Sequence, residues 1–193
     1  MKLNKLLMAV AATLAFSGAA QAAVLTSTTG STANVVTDYS TPALVSFDLD
    51  LEDFSSTRLN FVLEDGDLLG PLSMNALVRN LSGFGLSHFT FSLQGIAFAN
   101  PGSVTPDFGT LKQVTSTRSA AAISFATPEF TEFQFGNPLS INGRSDWVFD
   151  TTGLRAGDAF SITATVPEPS SFALLLSALA LMGVYAVRRN GRG

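Results

Sequence analysis

The stretch ALVSFDLDLED, residues 43–53, alternates without a break. Val45, Phe47, Leu49 and Leu51 fall on one side, and Ser46, Asp48, Asp50 and Glu52 on the other. Successive side chains of an extended chain point to opposite faces, so this period of two predicts a strand with one buried and one wet face. A helix would scatter the same residues around its axis. The pattern returns in HFTFSLQG, with Phe89, Phe91 and Leu93 against His88, Thr90, Ser92 and Gln94. It returns again in DAFSITATV, with Phe160, Ile162, Ala164 and Val166 against Ser161, Thr163 and Thr165. Weaker alternation runs through Leu59 to Leu63, Ala76 to Leu81, Ala122 to Ala126, Phe130 to Phe135 and Trp147 to Phe149. Turn signals lie between these segments at Asp65-Gly66-Asp67, Pro101-Gly102, Asn142-Gly143 and Thr152-Gly153. The expectation is an all-β domain of roughly eight strands, an antiparallel sandwich or jelly-roll-like fold with phenylalanine-rich inner faces. Thr26 to Thr41, rich in Ser and Thr, reads as a loose lead-in or an edge strand.

Two segments do not fit a strand domain. At the start, Lys2 and Lys5 precede an apolar run from Leu6 to Phe16, and Ala20-Gln21-Ala22 places small residues at a cleavage position. That order is the layout of a secretory signal peptide. Residues 1–22 are therefore expected to engage the general secretion machinery and to be removed by signal peptidase. At the far end, Ser171 to Val187 has no charged side chain, and Arg188, Arg189 and Arg192 follow it. A helix of that length falls slightly short of a ~30 Å hydrocarbon core, but Tyr185 and the arginine stems extend its reach. The expectation is a single C-terminal transmembrane helix over 171–187 with a cytoplasmic basic tail, 188–193. Between the two ends lies an exported β domain, 23–165.

Val166-Pro167-Glu168-Pro169-Ser170 marks the junction of domain and tail. Its prolines keep the backbone extended and out of any hydrogen-bonded ladder, which leaves it open to a processing enzyme. Motif, apolar run and arginines together resemble the PEP-CTERM sorting signal of exported proteins of Gram-negative bacteria. Val166, Pro167, Glu168 and Pro169 match the motif, and Arg188 with Arg189 match the basic stop. The resemblance implies an exosortase, an integral-membrane cysteine transpeptidase, as processing partner. It also implies passage through an inner-membrane intermediate to the cell surface, outer membrane or exterior, in association with exopolysaccharide and biofilm. It covers residues 166–193 and implies nothing about the domain itself.

The chemistry of 23–165 is sparse. Fourteen acidic residues face six basic ones, a net charge of −8, and Lys112 is its one lysine. Such a body offers no electrostatic footprint for nucleic acid and is not drawn to anionic lipid. The chain has no cysteine and one histidine, His88, so disulfides, thiolate sites and the usual zinc ligand sets are ruled out by composition. His88 has no serine in a nucleophile-elbow context to activate, and no nucleophilic site is expected. No cofactor is expected either. Two acidic clusters stand out: Asp48, Asp50 and Glu52 on one strand face, and Glu64, Asp65 and Asp67 around a turn. Asp65 and Asp67 are weak calcium candidates, since oxygen-rich loops suit that ion, but the full calcium-loop spacing is missing and a hairpin turn is the competing reading. Paired carboxylates also admit a glycosidase; a solvated face that blunts edge pairing is the alternative. Trp147, beside Arg144, Asp146 and Asp150, is the candidate for a carbohydrate contact, against a core ring. The expected function is non-enzymatic: a cell-surface or matrix protein acting by adhesion or polysaccharide binding. A small carbohydrate-active enzyme and a structural matrix protein without a ligand are the alternatives.

Overall fold

A computed structural model describes residues 22–167. The strands in chain order are β1 (Val24–Gly30), β2 (Val35–Asp38), β3 (Leu44–Leu51), β4 (Thr57–Val62), β5 (Leu72–Asn80), β6 (Leu86–Gln94) and β7 (Ala97–Asn100). They continue with β8 (Val104–Pro106), β9 (Thr110–Ser116), β10 (Ala120–Glu129), β11 (Glu132–Phe135), β12 (Trp147–Asp150) and β13 (Ala159–Thr165). They form two sheets. The first, six strands in the order β1-β4-β13-β6-β10-β9, is antiparallel throughout. The second runs β2-β3-β5-β11-β8, with β12 joined to β5 and β7 joined to β12.

The strongly alternating segments all became strands. β3 buries Val45, Phe47, Leu49 and Leu51, as its period of two requires. The Thr26–Thr41 region holds two strands, and both are edges: β1 closes one side of the first sheet and β2 one side of the second. Edge strands have one paired side and little to bury, which is why β1 is mostly exposed and carries weak alternation.

The expectation of a wholly antiparallel sandwich is corrected in the second sheet. β3 and β5 pair in parallel, from Leu44 opposite Ser73 to Leu51 opposite Asn80. The reason is topological. The chain leaves β3, crosses to the first sheet as β4, and returns as β5, so the intervening strand does the work of a crossover helix. The same route overturns the hairpin expected at Asp65-Gly66-Asp67. A turn that joins two sheets cannot be a two-residue hairpin, and Asp65–Leu68 forms a short 3-10 helix instead.

The predicted transmembrane helix is also withdrawn from the fold. Among the described residues no helix is long and apolar enough to cross a membrane. The segment 171–187 to which it was assigned lies outside them. The fold supported is an all-β, two-sheet domain.

Aromatic rings fill the space between the sheets. Phe47 of β3 meets Phe91 of β6 edge-on at 5.9 Å, and Phe133 of β11 meets Phe89 of β6 at 5.1 Å. Phe135 meets Phe91 at 4.9 Å, and Phe149 of β12 meets Phe160 of β13 at 5.9 Å. Each fully buried ring contributes about 1.5–3 kcal/mol by leaving water, and well-set ring pairs add about 0.5–1.5 kcal/mol. Phenylalanine serves this interior because its ring is large and carries no polar atom needing a partner.

β11 and β12 share one edge of β5. β11 pairs with its second half, Ala76 to Arg79, and β12 with its first, Leu72 to Met74. Residues 136–146 bulge out between them. Gly136 starts the excursion at φ +77°, and a Cβ there would lie 2.8 Å from that of Asn75. Asp146 closes it, accepting from the Asn75 amide (3.1 Å) and the Asn137 backbone N–H (2.7 Å). Buried Asn75 also accepts from the Ser46 hydroxyl at 2.7 Å, so its polar groups are partnered.

Candidate functional site

β13 is the last strand of the domain and lies between β4 and β6, in the interior of its sheet. Phe160, Ile162 and Ala164 point into the core, and the alternation carries on to Val166, which is 6% exposed. Pro167 follows and is exposed. Having no N–H, it cannot extend the ladder, whose last paired residue is Thr165. The first residue of the sorting motif therefore belongs to the hydrophobic core, and the second stands at the surface. No linker separates them. Glu168, Pro169, Arg188 and Arg189 lie outside the described residues.

The other sequence candidates are placed apart, and most are occupied. Trp147 is fully buried and stacks on Phe135 with ring centroids 4.4 Å apart. Its indole N–H donates to the Ser103 carbonyl at 3.3 Å. A ring so enclosed presents no face to a sugar, and the carbohydrate contact assigned to it is corrected to a core role. The signal was present in the sequence: Trp147 and Phe149 alternate, and both face inward.

Asp48 and Asp50 are both bound by Arg79 of β5, Asp48 by one guanidinium nitrogen and Asp50 by the other at 2.7 Å. Burial works to lower the arginine's pKa, but its bonds to Asp50 and Asp48 outweigh that and raise it. The parallel register sets Asp50 opposite Arg79, so this clamp follows directly from the crossover. Neither are these carboxylates on an edge, because β2 covers β3. Asp67 is fully buried and accepts from the Glu64 N–H at 2.9 Å and the Ala43 N–H at 3.3 Å. It ties the intersheet turn to the start of β3, whereas Asp65 is exposed. Among the described residues no group of His, Cys, Asp and Glu side chains is arranged to hold a metal ion. His88 is exposed on β6.

Two features were not anticipated from sequence. Glu129, at the end of β10, is fully buried. One carboxylate oxygen accepts from the backbone N–H groups of Phe108 (3.0 Å) and Gly109 (2.7 Å), the other from the Thr131 N–H and hydroxyl (both 2.9 Å). Burial pushes this carboxyl up, but the donors from Gly109, Thr131 and Phe108 prevail and hold it below the usual range. The carboxylate pins the 107–109 loop to the β10–β11 turn.

The second is a depression of about 290 Å³ on the outer face of the first sheet, open to solvent. Arg58 and Asn60 of β4, Ser161 of β13, Gln94 of β6 and Thr26 of β1 contribute its polar groups. The Arg58 guanidinium donates to the Gln94 side-chain carbonyl at 2.6 Å, a bond that spans β13. Beneath lies Ser161, level with both Asn60 and Gln94 and only 3% exposed. Its hydroxyl has no hydrogen-bond partner among the described residues. One wall is Gly95 at φ +82°, where a Cβ would lie 2.7 Å from the Ala159 carbonyl oxygen. No alternation distinguishes Ser161 from Thr163 or Thr165, so the site is visible only once β4, β13 and β6 are side by side.

Fold and junction together define a class: an all-β, two-sheet domain whose innermost C-terminal strand runs straight into a short sorting element. Comparison with known families makes the element specific. Residues 165–190 match the PEP-CTERM protein-sorting motif. The chain carries that signal, consistent with an exosortase substrate, and the signal directs export to the cell surface or exterior. No curated protein and no solved structure matches the chain.

Proposed function

We propose that this protein is a non-catalytic component of the extracellular polysaccharide or biofilm matrix. Signal peptidase and the general secretion machinery deliver it across the membrane, the exosortase route places it at the surface, and the β domain associates there with polysaccharide. The observation that carries the reading is the sorting motif at 165–190, set without a linker against the central strand of a folded domain. The first sheet supports a binding rather than a catalytic role. Its outward residues on β4, β13 and β6 include Asn60, Ser161, Thr163, Thr165, Ser92 and Gln94, hydroxyl and amide groups suited to hydrogen-bonding sugar hydroxyls. Asp48 and Asp50, which the sequence offers among the paired carboxylates of a glycosidase, are bound to Arg79, which also favours binding over turnover.

The test is fractionation of producing cells. The protein should be recovered with the surface polysaccharide. Replacing Pro167, Glu168 and Pro169 together by alanine, or removing the exosortase, should strip it from that fraction. Unchanged recovery in both cases contradicts the sorting half of the reading. Surface delivery without polysaccharide association contradicts the other half.

A further inference from the structure

Charge is divided unequally between the two sheets. In the strands of the second, Asp38, Asp48, Asp50, Glu132 and Asp150 stand against Arg79 alone. In the six strands of the first, the one acidic residue is Glu129, which is fully buried, whereas Arg58, Lys112 and His88 are exposed. A domain with a net charge of −8 thus turns one face without an exposed strand carboxylate to solvent. An anionic polymer is repelled by the rest of the body and meets least repulsion there.

The depression lies on this face. Its lining contains no carboxylate, and Asp158, which precedes Ala159 of the lining, accepts from the Arg155 N–H at 2.8 Å. Arg58 makes no ion pair among the described residues and is held by one neutral acceptor, Gln94. A carboxylate offers guanidinium two charge-assisted bonds in place of that single one. The Ser161 hydroxyl is buried without a partner among the described residues, a costly state that a ligand hydroxyl relieves. A site of about 290 Å³ is at the small end of ligand pockets, which suits one sugar unit of a chain.

We propose that this depression binds a carboxylated sugar unit, of the uronic acid type, within an acidic polysaccharide. Arg58 leaves Gln94 to pair with the sugar carboxylate. The released Gln94 amide, the Asn60 amide and the Ser161 hydroxyl then hydrogen-bond the ring hydroxyls. This rests on the polysaccharide-binding reading above and adds to it the place and the chemical class.

The experiment is equilibrium binding of the mature protein, recovered from cells, to immobilised oligogalacturonate, neutral dextran and dextran sulfate. The expected result is binding to oligogalacturonate at least tenfold tighter than to dextran. Arg58→Gln should weaken oligogalacturonate binding about tenfold or more. Ser161→Ala should weaken it several-fold while the thermal midpoint stays the same or rises, because the hydroxyl it removes bonds no other described residue. A hydroxyl with a merely structural role would lower the midpoint and leave binding alone. Oligogalacturonate binding untouched by both variants overturns the site but leaves polysaccharide association standing. Dextran sulfate bound as tightly, with Ser161→Ala neutral, overturns it in favour of unspecific polyanion attraction. Self-association lost in Arg58→Gln, with no saccharide bound, assigns the face to a second copy of the chain. Retention on none of the three by unsubstituted protein defeats the site and weighs against the polysaccharide reading, which cell fractionation then settles separately.

Discussion

Val166 and Pro167 are bonded neighbours on opposite sides of the domain surface: the valine is 6% exposed in the core, and the proline is exposed. A processing enzyme that cuts beyond Pro167 leaves the fold intact, whereas one that cut before Val166 would take a core residue. Truncation should show this boundary. A chain ending at Pro167 should unfold cooperatively at nearly the full-length midpoint. A chain ending at Asp158 loses β13 from the middle of its sheet and should show no cooperative transition. Val166→Ala removes two buried methyl equivalents and should cost about 1.5 kcal/mol in denaturant unfolding.

Trp147 is the chain's single tryptophan, which makes it a direct reporter of the core. Its emission should be blue-shifted in the folded protein, insensitive to iodide, and red-shifted on unfolding. Trp147→Ala should cost about 3–5 kcal/mol, the range for deleting a buried aromatic ring. Trp147→Phe should remain folded and keep its polysaccharide retention. Lost retention in that folded variant would return Trp147 to the binding surface.

Glu129 links stability to acid. Its folded carboxyl is held below the usual value, so the unfolded chain binds the proton more readily. Its stabilisation is therefore complete above the ordinary glutamate pKa of about 4.3 and is lost as pH falls through the lower folded value. Glu129→Gln should cost about 1–3 kcal/mol at neutral pH, because the amide cannot satisfy all the donors aimed at it. It should also flatten the fall in thermal midpoint below about pH 4. A variant whose midpoint falls as steeply as the unsubstituted protein contradicts this role. Asp150 belongs to the same acid range: hydrogen bonds from Thr152 and Arg118 hold its carboxyl at about 2. It is more exposed and should add little.

Arg79 should matter more than either acid it holds. Arg79→Met leaves Asp48 and Asp50 side by side without a counter-charge and should cost about 1 kcal/mol, discounted for partial exposure. Changing both acids to asparagine in the same background should restore most of the loss. Failure of that rescue would mean the arginine acts through its stem rather than its charge.

What could be read in advance divides by the range of the forces concerned. β3, β6 and β13 were legible because one face of each is fully buried, and a buried face writes its period of two into the sequence. β8 has three residues and β9 is polar along most of its length, so neither leaves such a mark. The parallel β3–β5 pair was not legible, because pairing direction depends on where β4 goes. For the same reason Asp48 and Asp50 looked like free acids: their partner Arg79 lies 31 and 29 residues away. Glu129 and Ser161 owe their burial to neighbours brought in by the fold. The sorting motif was fully legible, since it acts as a linear signal and is read as one.

The deciding measurement is the intact mass of the protein recovered from the cell surface. The mature chain should lack residues 1–22 and end at or shortly beyond the Val166–Pro169 motif, with the folded β domain whole. A mass that still includes Arg188 to Gly193 would show that the sorting signal is not processed.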